Sequence, residues 1–228
     1  MSDNEEKPQL KRGVLVEFDY AVLSGHEMLL NVCTKRFEKE GVNADFKLLA
    51  KSLYGKTFAS GFNDLFTKLE KTLDVPSLVT ECQDTFTKRL EDGLKSVSAT
   101  FVPFIKALLE KNIRVAILSR LEPEQVKAVF GDFASDDLVF QRDTFSGFGF
   151  HNCDTLRRVT RKSGLYERLA MAIVASGNSA KNALTCGMSV MVKPNAFTEY
   201  QDFSGCDLMV DDFATDIIPE ILPVLRLS

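Results

Sequence analysis

The chain has 228 residues, room for one substantial core and a small accessory unit, since single cores commonly run to about 200–250 residues. It carries 28 Lys and Arg against 32 Asp and Glu, net −4, with the cations scattered instead of gathered into a patch, which argues against nucleic acid as the main partner. No apolar run approaches the roughly 20 residues of a membrane span, so no membrane-spanning role is expected.

The opening stretch, 1–12, reads as a flexible polar tail, without the apolar centre of a secretory signal or the acid-poor character of an organellar presequence. Cytoplasm is the default expectation, with an organelle left open if a targeting peptide precedes this numbering. Val14-Leu15-Val16 then reads as a buried strand. From Ser24 to Gly93 only helical spacing appears: Leu29, Val32, Cys33, Phe37; Phe46, Leu49, Ala50, Leu53; Phe62, Leu65, Phe66, Leu69; Val79, Cys82, Phe86. Gly41 with Asn43, Gly55, and Asp74 with Pro76 break this stretch into four amphipathic helices that can bury one another's stripes as a bundle. Phe101, Ile105, Leu108 and Leu109 predict a further helix before the strand Val115–Leu118. Leu138-Val139-Phe140, Ala172-Ile173-Val174, Val190-Met191-Val192 and Leu208-Met209-Val210 predict more strands, with helical period expected at Leu165 to Met171. Strands alternating with helices imply an α/β fold with a doubly wound parallel sheet. The expected division is 13–23 and 95–228 as the α/β core and 24–94 as an inserted helical unit.

The cysteines, at 33, 82, 153, 186 and 206, form no CxxC pair and no spacing suited to zinc, so they read as small buried hydrophobes of a reducing compartment.

Open parallel sheets bind ligands at the carboxyl ends of their strands. The first strand ends in Glu17-Phe18-Asp19-Tyr20-Ala21, where carboxylates at i and i+2 point to the same side of an extended chain. Such a pair suits a divalent cation or a nucleophile with an acid/base partner. An ExD alone is common by chance.

The context is more specific, and resembles the haloacid dehalogenase superfamily. That family opens with a hydrophobic strand ending in DxDGT, a place occupied by Glu17 to Ala21, and its second motif is a strand ending in Ser or Thr, matched by Ile117-Leu118-Ser119. The insertion resembles the helical cap of the phosphoglycolate phosphatase and beta-phosphoglucomutase branch. Counting back from Gly164 places the third motif at Gly149 to Asp154, with Phe150 where the family has Lys, and Gly187-Met188 places the fourth at Val174 to Ser179, with Ala175 and Ser179 where it has acids. The resemblance implies a Rossmann-type core under a four-helix cap. It further implies a phosphatase or phosphomutase whose first Asp attacks phosphorus, whose second handles the leaving-group proton, and whose Mg2+ is bound by the first Asp and a motif-four acid.

The substitutions count against that chemistry, which rests almost wholly on positioning and charge neutralisation. Glu17 moves the attacking oxygen outward by one methylene, about 1.5 Å, and a misplacement near 1 Å costs roughly 100-fold. Ala175 removes a metal ligand, and Phe150 removes a cation facing the phosphate. Ala21 and Tyr20 replace the family's Thr and Gly. Asp19 is either a catalytic remnant or a cap for the loop after the first strand. Ser119 is either a phosphate contact or, better favoured, the N-cap of a helix at Glu122-Pro123-Glu124. Arg120, Arg142, Arg157 or Arg158 is available to replace the lysine, the last two better suited to solvated helix faces, and His26 and His151 have no triad or metal partner in evident spacing. The expected protein is a catalytically impaired binding, scaffolding or regulatory module with a protein partner and no cofactor. The competing expectation is a rewired Mg2+-dependent phosphatase or phosphomutase. A sensor that holds a phosphorylated ligand through Ser119 is the third.

Overall fold

The computed structural model describes residues 11–142, 149–150 and 152–225. Continuous apolar runs become strands buried on both faces, as parallel sheets require. β1 (Lys11–Glu17), β2 (Arg114–Ser119), β3 (Leu138–Arg142), β4 (Leu165–Val174), β5 (Ser189–Val192) and β6 (Leu208–Met209) form one parallel sheet in the order β3-β2-β1-β4-β5-β6. In β1, Val14, Leu15 and Val16 are all fully buried. Gly13 lets β1 lie close to its neighbours, because a Cβ there would stand 2.1 Å from the Arg114 carbonyl oxygen and 2.5 Å from Leu165.

Between β1 and β2 the chain forms α1 (Gly25–Glu38), α2 (Phe46–Leu53), α3 (Phe58–Lys68) and α4 (Val75–Gly93). Three of these starts are capped by side chains that satisfy otherwise orphaned amides: Asp45 accepts from Leu48 N at 2.8 Å, Thr57 from Ser60 N at 3.2 Å and Asp74 from Ser77 N at 3.3 Å. Their stripes meet in an aromatic cluster in which the ring of Phe37 stands 4.9 Å from that of Phe62 and 5.1 Å from that of Phe66.

After the insertion come α5 (Phe101–Glu110), α6 (Pro123–Lys127), α7 (Cys153–Lys162), α8 (Gly177–Thr185) and α9 (Ile218–Val224). Strand residues alternate between two core layers. Val14, Val16, Ile117 and Ile173 pack with α5, α9 and the inserted helices; Leu15, Ala116, Leu118 and Val174 pack with α7 and α8. Helices on both faces of a parallel sheet make the doubly wound arrangement that the alternation predicts.

Two expectations about the elements fail. Lys11 and Arg12, expected in the polar tail 1–12, open β1, and the rest of that tail lies outside the described residues. Leu165 to Met171 is the first part of β4, not a helix. Here Leu165 and Glu167 are buried while Tyr166 and Arg168 are exposed, the two-residue period of a strand. The buried charge hides that period in the sequence, and it is tolerated because Arg161 Nε donates to Glu167 Oε1 at 2.7 Å. Among the described residues no helix is long and apolar enough to cross a membrane.

Candidate functional site

β1 lies between β2 and β4, so the chain leaves it toward one side of the sheet and returns on the other. The crevice at this switch, outside the carboxyl ends of β1, β2 and β4, is where open α/β sheets place ligands. Glu17 ends β1, and Phe18–Val22 then form a π-helical turn closed by Leu23 N donating to the Phe18 carbonyl at 3.2 Å. Single π turns are rare and frequent at functional sites. This one carries Asp19, Tyr20 and Ala21 into buried positions.

Asp19 therefore leaves the extended backbone, and the expectation of paired carboxylates on one side of a strand fails. Each carboxylate has its own donors. Glu17, 3% exposed, accepts from Ser179 Oγ at 2.7 Å and Phe150 N at 3.0 Å on Oε1, and from Ala175 N at 3.4 Å on Oε2. Asp19, 2% exposed, accepts from Ser119 Oγ at 2.5 Å and from Arg120 N at 2.9 Å. Burial raises the Asp19 carboxyl above its ordinary pKa, opposed by the Ser119 and Arg120 hydrogen bonds and the Arg120 charge.

The four motif regions named from the sequence thus converge. Glu17, Phe150, Ala175 and Ser179 meet at one carboxylate; Asp19 and Ser119 meet at the other. Ala21 lies 2% exposed beside them in the turn. Phe150 turns its ring into the layer with Leu15 and Leu118, and its carbonyl accepts from Asn182 Nδ2 at 2.7 Å. Gly149 is required here: its φ is +74°, and a Cβ would come within 2.6 Å of both Glu17 Oε1 and Ser179 Oγ.

Several expected roles change. Ser119 is not a helix cap. It ends β2, its hydroxyl serves Asp19 and accepts from Leu121 N at 3.1 Å, and the N-cap of α6 is Glu122, whose N–H donates to Gln125 Oε1 at 3.0 Å. Asp19 caps the turn after β2 instead of the loop after β1. Arg120 alone of the candidate arginines approaches the crevice, with its guanidinium 5.2 Å from the ring centre of Phe58 and 5.9 Å from that of Phe86. Arg142 pairs with Glu122 at 2.5 Å, while Arg157 and Arg158 are exposed on α7. His26 is buried, its ring 4.5 Å from Tyr20 and 5.0 Å from Tyr54, and burial holds its pKa down to about 3, which favours the neutral ring near pH 7. His151 lies outside the described residues. The aromatic seat of Arg120 was missed because Phe58 and Phe86 belong to the spacing of the inserted helices, and nothing in the linear order ties them to residue 120.

The residues present do not fit a Mg2+ ion. A hard cation takes oxygen ligands with free lone pairs, whereas O–H and N–H donors already point at both Glu17 and Asp19, and the Ala175 side chain offers no oxygen. Among the described residues no group of three or more His, Cys, Asp and Glu could hold a metal.

No family model matches the sequence, and no curated protein matches it. Solved structures do match in fold. CbbY from Rhodobacter sphaeroides in complex with phosphate superimposes with TM-score 0.66 at 18% identity over 90% of this chain and 96% of its own. A beta-phosphoglucomutase from Clostridium difficile gives TM-score 0.72 at 13% identity over 94% and 97%. A hydrolase from Deinococcus radiodurans, with bound phosphate and sodium, gives 0.58 at 13% over 96% and 97%. The fold is that of the haloacid dehalogenase-like hydrolases.

Proposed function

We propose that this phosphatase-like fold has given up phosphoryl transfer and serves as a binding, scaffolding or regulatory module within a protein complex. The observation that carries the reading is the commitment of both carboxylates. The chemistry that the family resemblance implies needs a free carboxylate facing phosphorus and a cation; here Glu17 and Asp19 are buried and turned onto protein donors. Attack by Glu17 would first cost the hydrogen bonds of Ser179 and Phe150, and a charge-assisted bond is worth roughly 1.5–3 kcal/mol. It would also proceed without a lysine at Phe150 or an acid at Ala175 to offset charge.

The competing reading, a rewired phosphatase or mutase, draws on the phosphate-bound neighbours and on Arg120, a cation whose charge reaches Asp19. An aryl phosphate assay with Mg2+ separates the two. Turnover is expected at background level, in the unaltered protein and in Glu17→Asp alike, because Ala175 and Phe150 remain; restoration requires at least Glu17→Asp, Ala175→Asp and Phe150→Lys together. Hydrolysis at ordinary phosphatase rates, abolished by Asp19→Asn, would overturn the proposal.

A further inference from the structure

A cavity of about 680 Å³ lies between α2 and the loop after β5, bounded by Phe46, Lys47, Lys51, Tyr54, Tyr200 and Gln201 among others. Its volume falls inside the roughly 300–1,000 Å³ typical of small-molecule sites. Phe46 and Tyr200 are 37% and 62% exposed, large rings left facing water, one from α2 and one from the loop after β5. Phe46 is held from behind by Phe197, at 4.9 Å between ring centres. Lys47 and Lys51 stand one helical turn apart on the α2 side, and among the described residues no carboxylate lines the cavity. Among the described residues neither lysine has an acidic partner, whereas Lys56 and Lys68 of the same insertion both bind Asp64, at 2.6 and 2.7 Å. Tyr54, the C-cap of α2, has a buried hydroxyl without a hydrogen-bond partner among the described residues. Burial pushes its pKa up, with Tyr200 and Tyr20 acting in the same direction, so the group is a neutral phenol.

A buried hydroxyl without a partner is costly, and so is a wide apolar surface left in water. We propose that this cavity binds a planar aromatic anion. The ring system lies between Phe46 and Tyr200, the carboxylate, sulfonate or phosphate group faces Lys47 and Lys51, and a polar atom reaches the Tyr54 hydroxyl. A neutral apolar molecule would use the rings and leave the lysines idle; an inorganic anion would do the reverse. Gln201 ties the far wall to the core, because its Oε1 accepts from Gly177 N at the start of α8 at 2.7 Å. The bound molecule therefore bridges the inserted helices and the sheet layer. The site is separate from Glu17 and Asp19 and does not depend on whether they are catalytically silent.

The test uses two dyes of like shape on the full chain: anilinonaphthalene sulfonate, which is anionic, and the uncharged phenylnaphthylamine. The anionic dye should bind saturably at one site and slow amide exchange in residues 46–54 and 196–201. Lys47→Gln with Lys51→Gln should weaken it roughly ten-fold, the loss of about one charge-assisted contact, and leave the uncharged dye unchanged. Tyr200→Ala should weaken both dyes. All three positions are exposed, so the variants should keep the circular dichroism of the parent. Binding of the anionic dye that is unaltered by the lysine changes, or protection elsewhere in the chain, or no saturable binding, would each overturn the proposal.

Discussion

Asp19 is a carboxylate whose burial outweighs the hydrogen bonds that favour its charge, so its folded-state pKa lies above the ordinary value of 3.8. The folded chain then holds the proton more tightly than the unfolded one. Its contribution to stability is fully present below pH 3.8 and is lost as pH rises through the folded value. Asp19→Asn removes this titration, its amide oxygen accepting from Arg120 N and its NH2 donating to the Ser119 hydroxyl oxygen in place of the bond that Ser119 now donates. Relative to the parent, the variant should gain stability steadily as pH rises above 4, measured by urea unfolding at several pH values; a constant difference across that range would refute the assignment. Gly149→Ala tests the neighbouring carboxylate. The left-handed backbone alone costs about 1–2 kcal/mol for a residue with a Cβ, and the collision with buried Glu17 and Ser179 adds to it, so a loss of at least about 2 kcal/mol is expected in the same measurement. The sequence shows which residue types stand at these positions. It does not show that the Ser179 hydroxyl serves Glu17 or that Ser119 serves Asp19, because both bonds join segments a hundred or more residues apart.

At the scale of elements, the strands were legible because parallel strands buried on both faces are written as unbroken apolar runs. The inserted helices were legible because each keeps a stripe at three- and four-residue spacing and is punctuated by Gly, Asn, Asp or Pro. β4 was half legible: Ala172-Ile173-Val174 reads as strand, while the alternation of its first part is broken by Glu167. That glutamate is stable inside only while Arg161 covers it, its side chain 5% exposed against 62% for the arginine. Arg161→Ala should therefore destabilise the protein by about 1–3 kcal/mol, the cost of leaving a buried charged acceptor without its partner. Adding Glu167→Gln to that variant should recover part of the loss, and equal stability of the two variants in thermal unfolding would show that the ion pair matters little.

Across the whole molecule, the core layer that includes Val14 and Val16 continues without a break into the inserted helices through Phe86 and Leu90. Periodicity reveals that both regions are apolar on one side and cannot reveal that they share a core. The central place of β1 has a consequence for the order in which the chain assembles. β1 is the first strand to be synthesised, yet Gly13 faces Arg114 on one side and Ala170 on the other, so its backbone has no strand partner until half of the chain exists and lacks its second until β4 is made. Closing such long loops delays sheet formation, whereas contacts such as α2 on α3 are local. The helical insertion should acquire amide protection first and nucleate the upper part of the shared layer, with β1 docking late. Until then Val14-Leu15-Val16 is an exposed apolar segment prone to intermolecular pairing. Pulse-labelled hydrogen exchange during refolding should find α2 and α3 protected before residues 13–17. Simultaneous protection of β1 and α3 would mean that the sheet and the insertion condense in one step. The strand that carries Glu17 to the centre of the fold would then be among the first parts of the chain to be fixed instead of the last.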